Sequence, residues 1–113
     1  MAKICILDAK TLGEDADFAV FNQFGEVVVY DTTSPENVVE RIQDCDIVIT
    51  NKVVLNGSNL QHAPLVKLIC VSATGTNNID LQYTQTRNIT VCNVAGYSTR
   101  SVVQHTFAML FYL

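Results

Sequence analysis

Five short apolar runs punctuate the chain, at residues 3–7, 26–30, 46–50, 67–72 and 90–93. Several read as continuous Ile, Val, Leu and Cys rather than as strict alternation of apolar and polar positions. Runs of that kind suit strands covered on both faces, as in a parallel sheet. The stretches between them predict helices. Residues 16–24 carry Phe18, Phe21 and the pair Val20 and Phe24 at three-to-four spacing, with Gly25 as the stop. Ser34 precedes Pro35 and Glu36, which places a cap, a first-turn proline and a first-turn acid at the start of a helix reaching Ile42. Residues 59–62 and 80–86 predict short helical turns, and a last helix begins near Ser98 or Thr99 and runs to the end.

Strands alternating with crossovers of a dozen or more residues define βαβ units, whose crossovers are right-handed. Five of them predict an α/β, flavodoxin-like, five-stranded parallel sheet of order 2-1-3-4-5, with helices on both faces. Such sheets bind ligands outside the carboxyl ends of their strands. Those ends are Asp8-Ala9-Lys10, Asp31-Thr32-Thr33, Thr50-Asn51-Lys52, and the stretches 72–78 and 93–98. No internal repeat or low-complexity linker interrupts the pattern.

The chain has 113 residues, 49% of them apolar and 16% charged, enough for one proper core and far too apolar for a disordered polypeptide. A net charge of −4 and the absence of a basic stripe argue against nucleic acid or an anionic membrane as partner. No apolar run is long enough to span a bilayer, and Asp8 arrives too early for a signal peptide, so a cytoplasmic protein is expected. Cys5, Cys45, Cys70 and Cys92 have no CxxC spacing and read as reduced core residues, with neither a metal site nor a disulfide framework. The final helix carries no charge in its last seven residues and no stop signal. A helix apolar all round is buried on all sides, so the sequence reads as a piece of a longer protein.

The five glycines, Gly13, Gly25, Gly57, Gly75 and Gly96, exclude GxGxxG and the P-loop, because no two are separated by a single residue and no GK[ST] follows any of them. A phosphorylation receiver would need paired acids after the first strand and a Lys after the fifth; only Asp8 is present. A flavodoxin would need a Ser/Thr-rich phosphate loop after the first strand, and residues 8–13 do not supply one. The richest loop is Ser72-Ala73-Thr74-Gly75-Thr76-Asn77-Asn78-Ile79-Asp80, either an anion-binding nest or an ordinary strand-to-helix turn capped by Asp80. Hydroxyls cluster at the start of the last helix, where the dipole favours anions. His105 on that helix has no evident carboxylate partner and reads as packing, and His62 reads as exposed. Lys52 is either a solvated loop residue or one that faces an anion.

Three stretches together carry a family resemblance: Thr50-Asn51-Lys52-Val53-Val54-Leu55, the Gly75-Thr76-Asn77-Asn78-Ile79-Asp80 loop, and Asn93-Val94-Ala95-Gly96-Tyr97-Ser98 continuing through Ser101-Val102-Val103-Gln104-His105-Thr106. The whole chain resembles the N-terminal part of the NAD-dependent D-isomer-specific 2-hydroxyacid dehydrogenases, most of all the glycerate dehydrogenase, or hydroxypyruvate reductase, branch. That resemblance implies a flavodoxin-like substrate domain over residues 1–97 and the start of an interdomain helix at 98–113, with the Rossmann domain absent. It implies that Ala73, Thr74 and Gly75 hold a substrate carboxylate through backbone amides, and that Lys52 lies near the substrate mouth. Ser98 would border the substrate, and Val102 and Thr106 the nicotinamide. The family's catalytic Arg, Glu and His map to no residue here; Arg41, Arg87 and Arg100 fall at other positions. Most relatives carry Ala-Glu where this chain has Val103-Gln104.

The expectation is a substrate-binding domain for a small 2-oxo or 2-hydroxy acid, inert alone, with NAD as cofactor only of the complete enzyme. The alternative is a flavodoxin-like binding or scaffold module without catalysis. An apolar Val102 to Leu113 surface would further favour a homodimer or helix exchange.

Overall fold

The five apolar runs become five strands, β1 (Ala2–Ile6), β2 (Gly25–Val29), β3 (Ile47–Thr50), β4 (Leu68–Val71) and β5 (Thr90–Asn93). The computed structural model describes residues 2–12, 22–23, 25–71 and 76–93. All neighbouring strands are parallel, in the order β2-β1-β3-β4-β5. β3 and β4 are buried at every position, which is why their sequences, Ile-Val-Ile-Thr and Leu-Ile-Cys-Val, show no polar alternation.

Three helices lie among the described residues: α1 (Val38–Ile42), α2 (Gly57–Leu60) and α3 (Leu81–Thr86). Val38, Ile42 and Leu60 pack with Cys5, Leu7, Val48, Ile69 and Val71 on one face of the sheet. Alternate strand residues, Ile4, Ile6, Ile47, Ile49, Leu68 and Cys70, form the core of the other face. The expected helix over 16–24 falls outside the described residues except at 22–23, which are 3-10, and the helix expected from Ser98 onward lies wholly outside them.

The helix boundaries depart from expectation for local reasons. Pro35–Asn37 is a 3-10 turn that leads into α1, and Ser34 makes no side-chain cap although its backbone is extended as a cap requires. The Glu36 carboxyl is instead held below its usual range, first by its own backbone N–H and then by the Ser34 hydroxyl. The turn expected at 59–62 begins earlier, at Gly57, because Asn56 and Asn59 form a reciprocal capping box. Asp80 does cap α3, accepting from the Tyr83 N–H at 3.0 Å.

Arg87 ties these elements together. Its guanidinium donates to the Leu60 carbonyl at 2.6 Å and the Ala63 carbonyl at 2.9 Å, so a side chain that ends α3 gives a further donor to carbonyls at and just beyond the end of α2, each of which also accepts a backbone N–H. Arg87→Ala is expected to lower stability by about 1–2 kcal/mol, read from the urea midpoint, with Arg87→Lys recovering only part because ammonium lacks the planar fork. An unchanged midpoint in the alanine variant would show the clamp to be idle.

None of the four cysteines is in a disulfide; Cys5, Cys45 and Cys70 are buried and Cys92 is half-buried. No helix among the described residues is long and apolar enough to cross a membrane. Among the described residues, no group of three or more His, Cys, Asp or Glu is placed to hold a metal ion.

Candidate functional site at the carboxyl ends of the strands

From the neighbours β1 and β3 the chain departs in opposite directions, to β2 on one side and β4 on the other. This is the switch point at which open α/β sheets leave a crevice. A cavity of about 570 Å³ lies there, lined from the β1 end by Asp8 and Thr11 and from the β2 end by Thr32 and Thr33. Pro35, Val38 and Val39 supply apolar lining, as do Val53 and Val54. Lys52 is the one cation among the lining residues that the structure describes.

The backbone of Lys52 is fixed by a buried acid. Asp8 is only 4% exposed, and its carboxylate accepts from the Lys52 N–H at 2.7 Å and the Asn51 N–H at 2.9 Å. A buried carboxylate normally needs a charged partner or several donors; here two backbone amides of the loop after β3 serve. Thr50 Oγ1 accepts from the Val53 N–H at 3.1 Å and sets the next residue of the same loop. The Lys52 side chain is exposed and makes no ion pair with any described residue. The single ion pair among the described residues is remote, between Lys3 and Asp44 at 2.6 Å.

The loop after β3 is also fastened to the segment that follows 72–75. Leu55 and Ile79 form an isolated parallel bridge. The Leu55 N–H donates to the Asn78 carbonyl and the Asp80 N–H donates to the Leu55 carbonyl, both at 2.9 Å. The Asn78 side chain donates to the Val53 carbonyl at 2.8 Å. Thr50 and Val71 are register partners, so the chain leaves β3 toward Lys52 beside the point where it leaves β4 toward 72–75. Arg41 is taken up by the framework: it donates to Thr33 Oγ1 at 2.7 Å and the Thr32 carbonyl at 2.8 Å, and stacks 4.0 Å over the Tyr30 ring.

Of the residues expected at the site, Lys52 is described and lines the crevice. Ala73, Thr74, Gly75, Ser98, Val102 and Thr106 lie outside the described residues, as does His105. Asp8 and Asn78 lie in strand-end stretches that the sequence marks for ligands, but the sequence assigns neither a part in the site. The signal for Asp8 was its place, an acid directly after an apolar strand and at a carboxyl end; Asn78 offered none apart from its loop.

The chain belongs to the D-isomer specific 2-hydroxyacid dehydrogenases: the model of that family's catalytic domain matches residues 4–111. It is 46% identical over 84 residues to a putative 2-hydroxyacid dehydrogenase of Haemophilus influenzae, covering 74% of this chain and 27% of that protein. It is 37% identical over 112 residues to the glycerate dehydrogenase of Methylorubrum extorquens, covering 98% of this chain and 35% of the relative. Among solved structures, the NAD+-bound 3-phosphoglycerate dehydrogenase of Entamoeba histolytica superposes with a TM-score of 0.72 at 28% identity, over 81% of this chain and 32% of that one. The chain thus spans about a third or less of the length of these relatives.

Proposed function

We propose that these residues form the substrate-binding side of a cleft in which a small 2-oxo acid is reduced, or the matching 2-hydroxy acid oxidised, with a nicotinamide dinucleotide as hydride carrier. The observation that carries this reading is the placement of Lys52. An ammonium without an ion-pair partner among the described residues stands at the switch-point crevice, its backbone fixed by Asp8, beside the exit to residues 73–75. Family membership supports the reaction class, and the likeness to a glycerate dehydrogenase supports a short hydroxy acid.

In this reading Lys52 draws the anionic substrate to the crevice, and the backbone amides of Ala73, Thr74 and Gly75 hold its carboxylate. Ser98 borders the substrate, with Val102 and Thr106 toward the nicotinamide. The residues present do not fit the dinucleotide itself. β1 runs into Asp8 and the 3-10 turn Ala9–Leu12, where a nucleotide cradle needs closely spaced glycines. The pyrophosphate site and the acid–base residues therefore belong to the opposite side of the cleft, and the 113 residues by themselves do not turn over substrate.

Two measurements on the chain test this. Mixed with NADH and hydroxypyruvate or glyoxylate, it is expected to give no NADH oxidation; turnover would overturn the division of labour. Titration with glycerate or hydroxypyruvate, followed by amide NMR, is expected to shift residues 52 and 73–75. Lys52→Ala is expected to weaken that binding about tenfold, equivalent to about 1.4 kcal/mol. Shifts confined to other strand ends, or binding unaffected by the substitution, would refute the assigned site.

A further inference from the structure

Two of the four cysteines face each other across the sheet. Cys70 on β4 and Cys92 on β5 are register partners on adjacent parallel strands, with Sγ atoms 3.2 Å apart, inside van der Waals contact. Neighbouring strands stand about 4.8 Å apart, within the Cα separation that a disulfide accepts. The sulfurs need to approach by only about an ångström to reach bonding distance. β5 is the edge strand, and Cys92 is half-buried on it, whereas Cys70 is buried.

We propose that Cys70 and Cys92 are a peroxide-responsive dithiol that closes into an intrachain disulfide joining β4 to β5. In the first step the Cys92 sulfur, as thiolate, attacks one oxygen of hydrogen peroxide. The O–O bond breaks, leaving a sulfenic acid on Cys92 and hydroxide, which takes up the thiol proton as water. In the second step the Cys70 sulfur attacks the Cys92 sulfur. The S–O bond breaks and the departing hydroxide leaves as water with the Cys70 proton. Two thiols lose two electrons and two protons, and one peroxide becomes two waters.

One feature favours Cys92 as the attacking group: it is half-buried on the edge strand and so the more accessible member of the pair, whereas Cys70 is buried. The other two cysteines contrast with it. Cys5 and Cys45 are wholly buried on the opposite face of the sheet, and the Cys45 thiol donates to the Arg41 carbonyl at 3.2 Å. Hydrogen bonding to Cys45 and burial push the Cys5 thiol far up. That pair is expected to stay reduced and serves as an internal control.

The proposal stands apart from the reading of activity, because it concerns bonds within the chain and is read without substrate. The intact chain is treated with a small excess of hydrogen peroxide, unfolded with N-ethylmaleimide present, and digested with trypsin without reductant. Cleavage after Lys67, Arg87 and Arg100 places Cys70 and Cys92 on separate peptides, 68–87 and 88–100. The expected result is a fall from four free thiols to two, with those peptides joined, lighter by two hydrogens and released by dithiothreitol. Cys70→Ser is expected to trap the sulfenic acid on Cys92 as a dimedone adduct. Should that variant not fold, the wild-type peptide map decides alone. Four thiols surviving peroxide, a bridge that includes Cys5 or Cys45, a bridge only between chains, or sulfinic acid on Cys92 without a cross-link would each overturn the proposal.

Discussion

Gly25→Ala is expected to destabilise the fold by roughly 3–5 kcal/mol, a large share of the 5–15 kcal/mol that typically holds a domain together. Gly25 opens β2 at φ +153°, a conformation that residues with a Cβ rarely adopt. A Cβ built there would stand 1.8 Å from the backbone carbonyl oxygen of Ala2. That neighbour is main chain in the interior strand β1, flanked by β2 and β3 and held in register with β2 from Ala2↔Gly25 to Ile6↔Val29, so it has nowhere to retreat. Steric overlap and backbone strain therefore add. Gly57→Ala is the control: its Cβ would meet the Tyr83 ring at 3.1 Å, a side chain that is able to shift, and the added methyl favours the helix. Urea midpoints for the two variants are expected to differ sharply, with Gly57→Ala within about 1 kcal/mol of the parent. Similar midpoints would mean that β1 and β2 do not pair in this register.

Removing the Asp8 carboxylate is the second large effect. Asp8→Ala leaves the Asn51 and Lys52 N–H groups without the acceptor that the buried carboxylate supplies. Hydrogen bonds to a charged group contribute about 1.5–3 kcal/mol, and a loss of that size is expected. Asp8→Asn keeps one oxygen but turns an amide N–H₂ toward a donor, and about half the loss is expected. Hydrogen exchange separates this from general loosening: the Lys52 amide should exchange faster in Asp8→Ala at a denaturant-free condition where β4 amides remain protected. Unchanged stability together with a protected Lys52 amide would remove Asp8 from the framework of the site.

The strands were legible because burial on both faces leaves no room for polar alternation, and each apolar run matched a strand to within a residue at either end. The small differences arise where apolar content outlasts the ladder: Leu7 is buried and still donates to the Ile49 carbonyl at 3.0 Å, yet β1 has ended at Ile6. The strand order is the flavodoxin-like one that five βα units suggest. Gly25 shows where local reading stopped short. It reads as the end of a preceding helix, but its demand for a missing side chain comes from Ala2, a strand away. The site was less legible for the same reason. Asp8 meets Asn51 and Lys52 across 43 and 44 residues, and Arg87 meets Leu60 across 27; the strand-end place of Asp8 names no partner, and nothing beside Arg87 marks its own. For Lys52 the sequence allows solvent or an anion equally, and the acid beneath its backbone fixes the course of its loop.

The position of β1 also governs the order in which the sheet becomes possible. It is first in the chain yet lies inside the sheet, paired with β2 on one edge and β3 on the other. Every ladder partner it will ever have is encoded by residue Thr50. A polypeptide emerging from its amino end thus holds a complete three-stranded template before β4 exists, and β4 and β5 are laid one after another along a single growing margin.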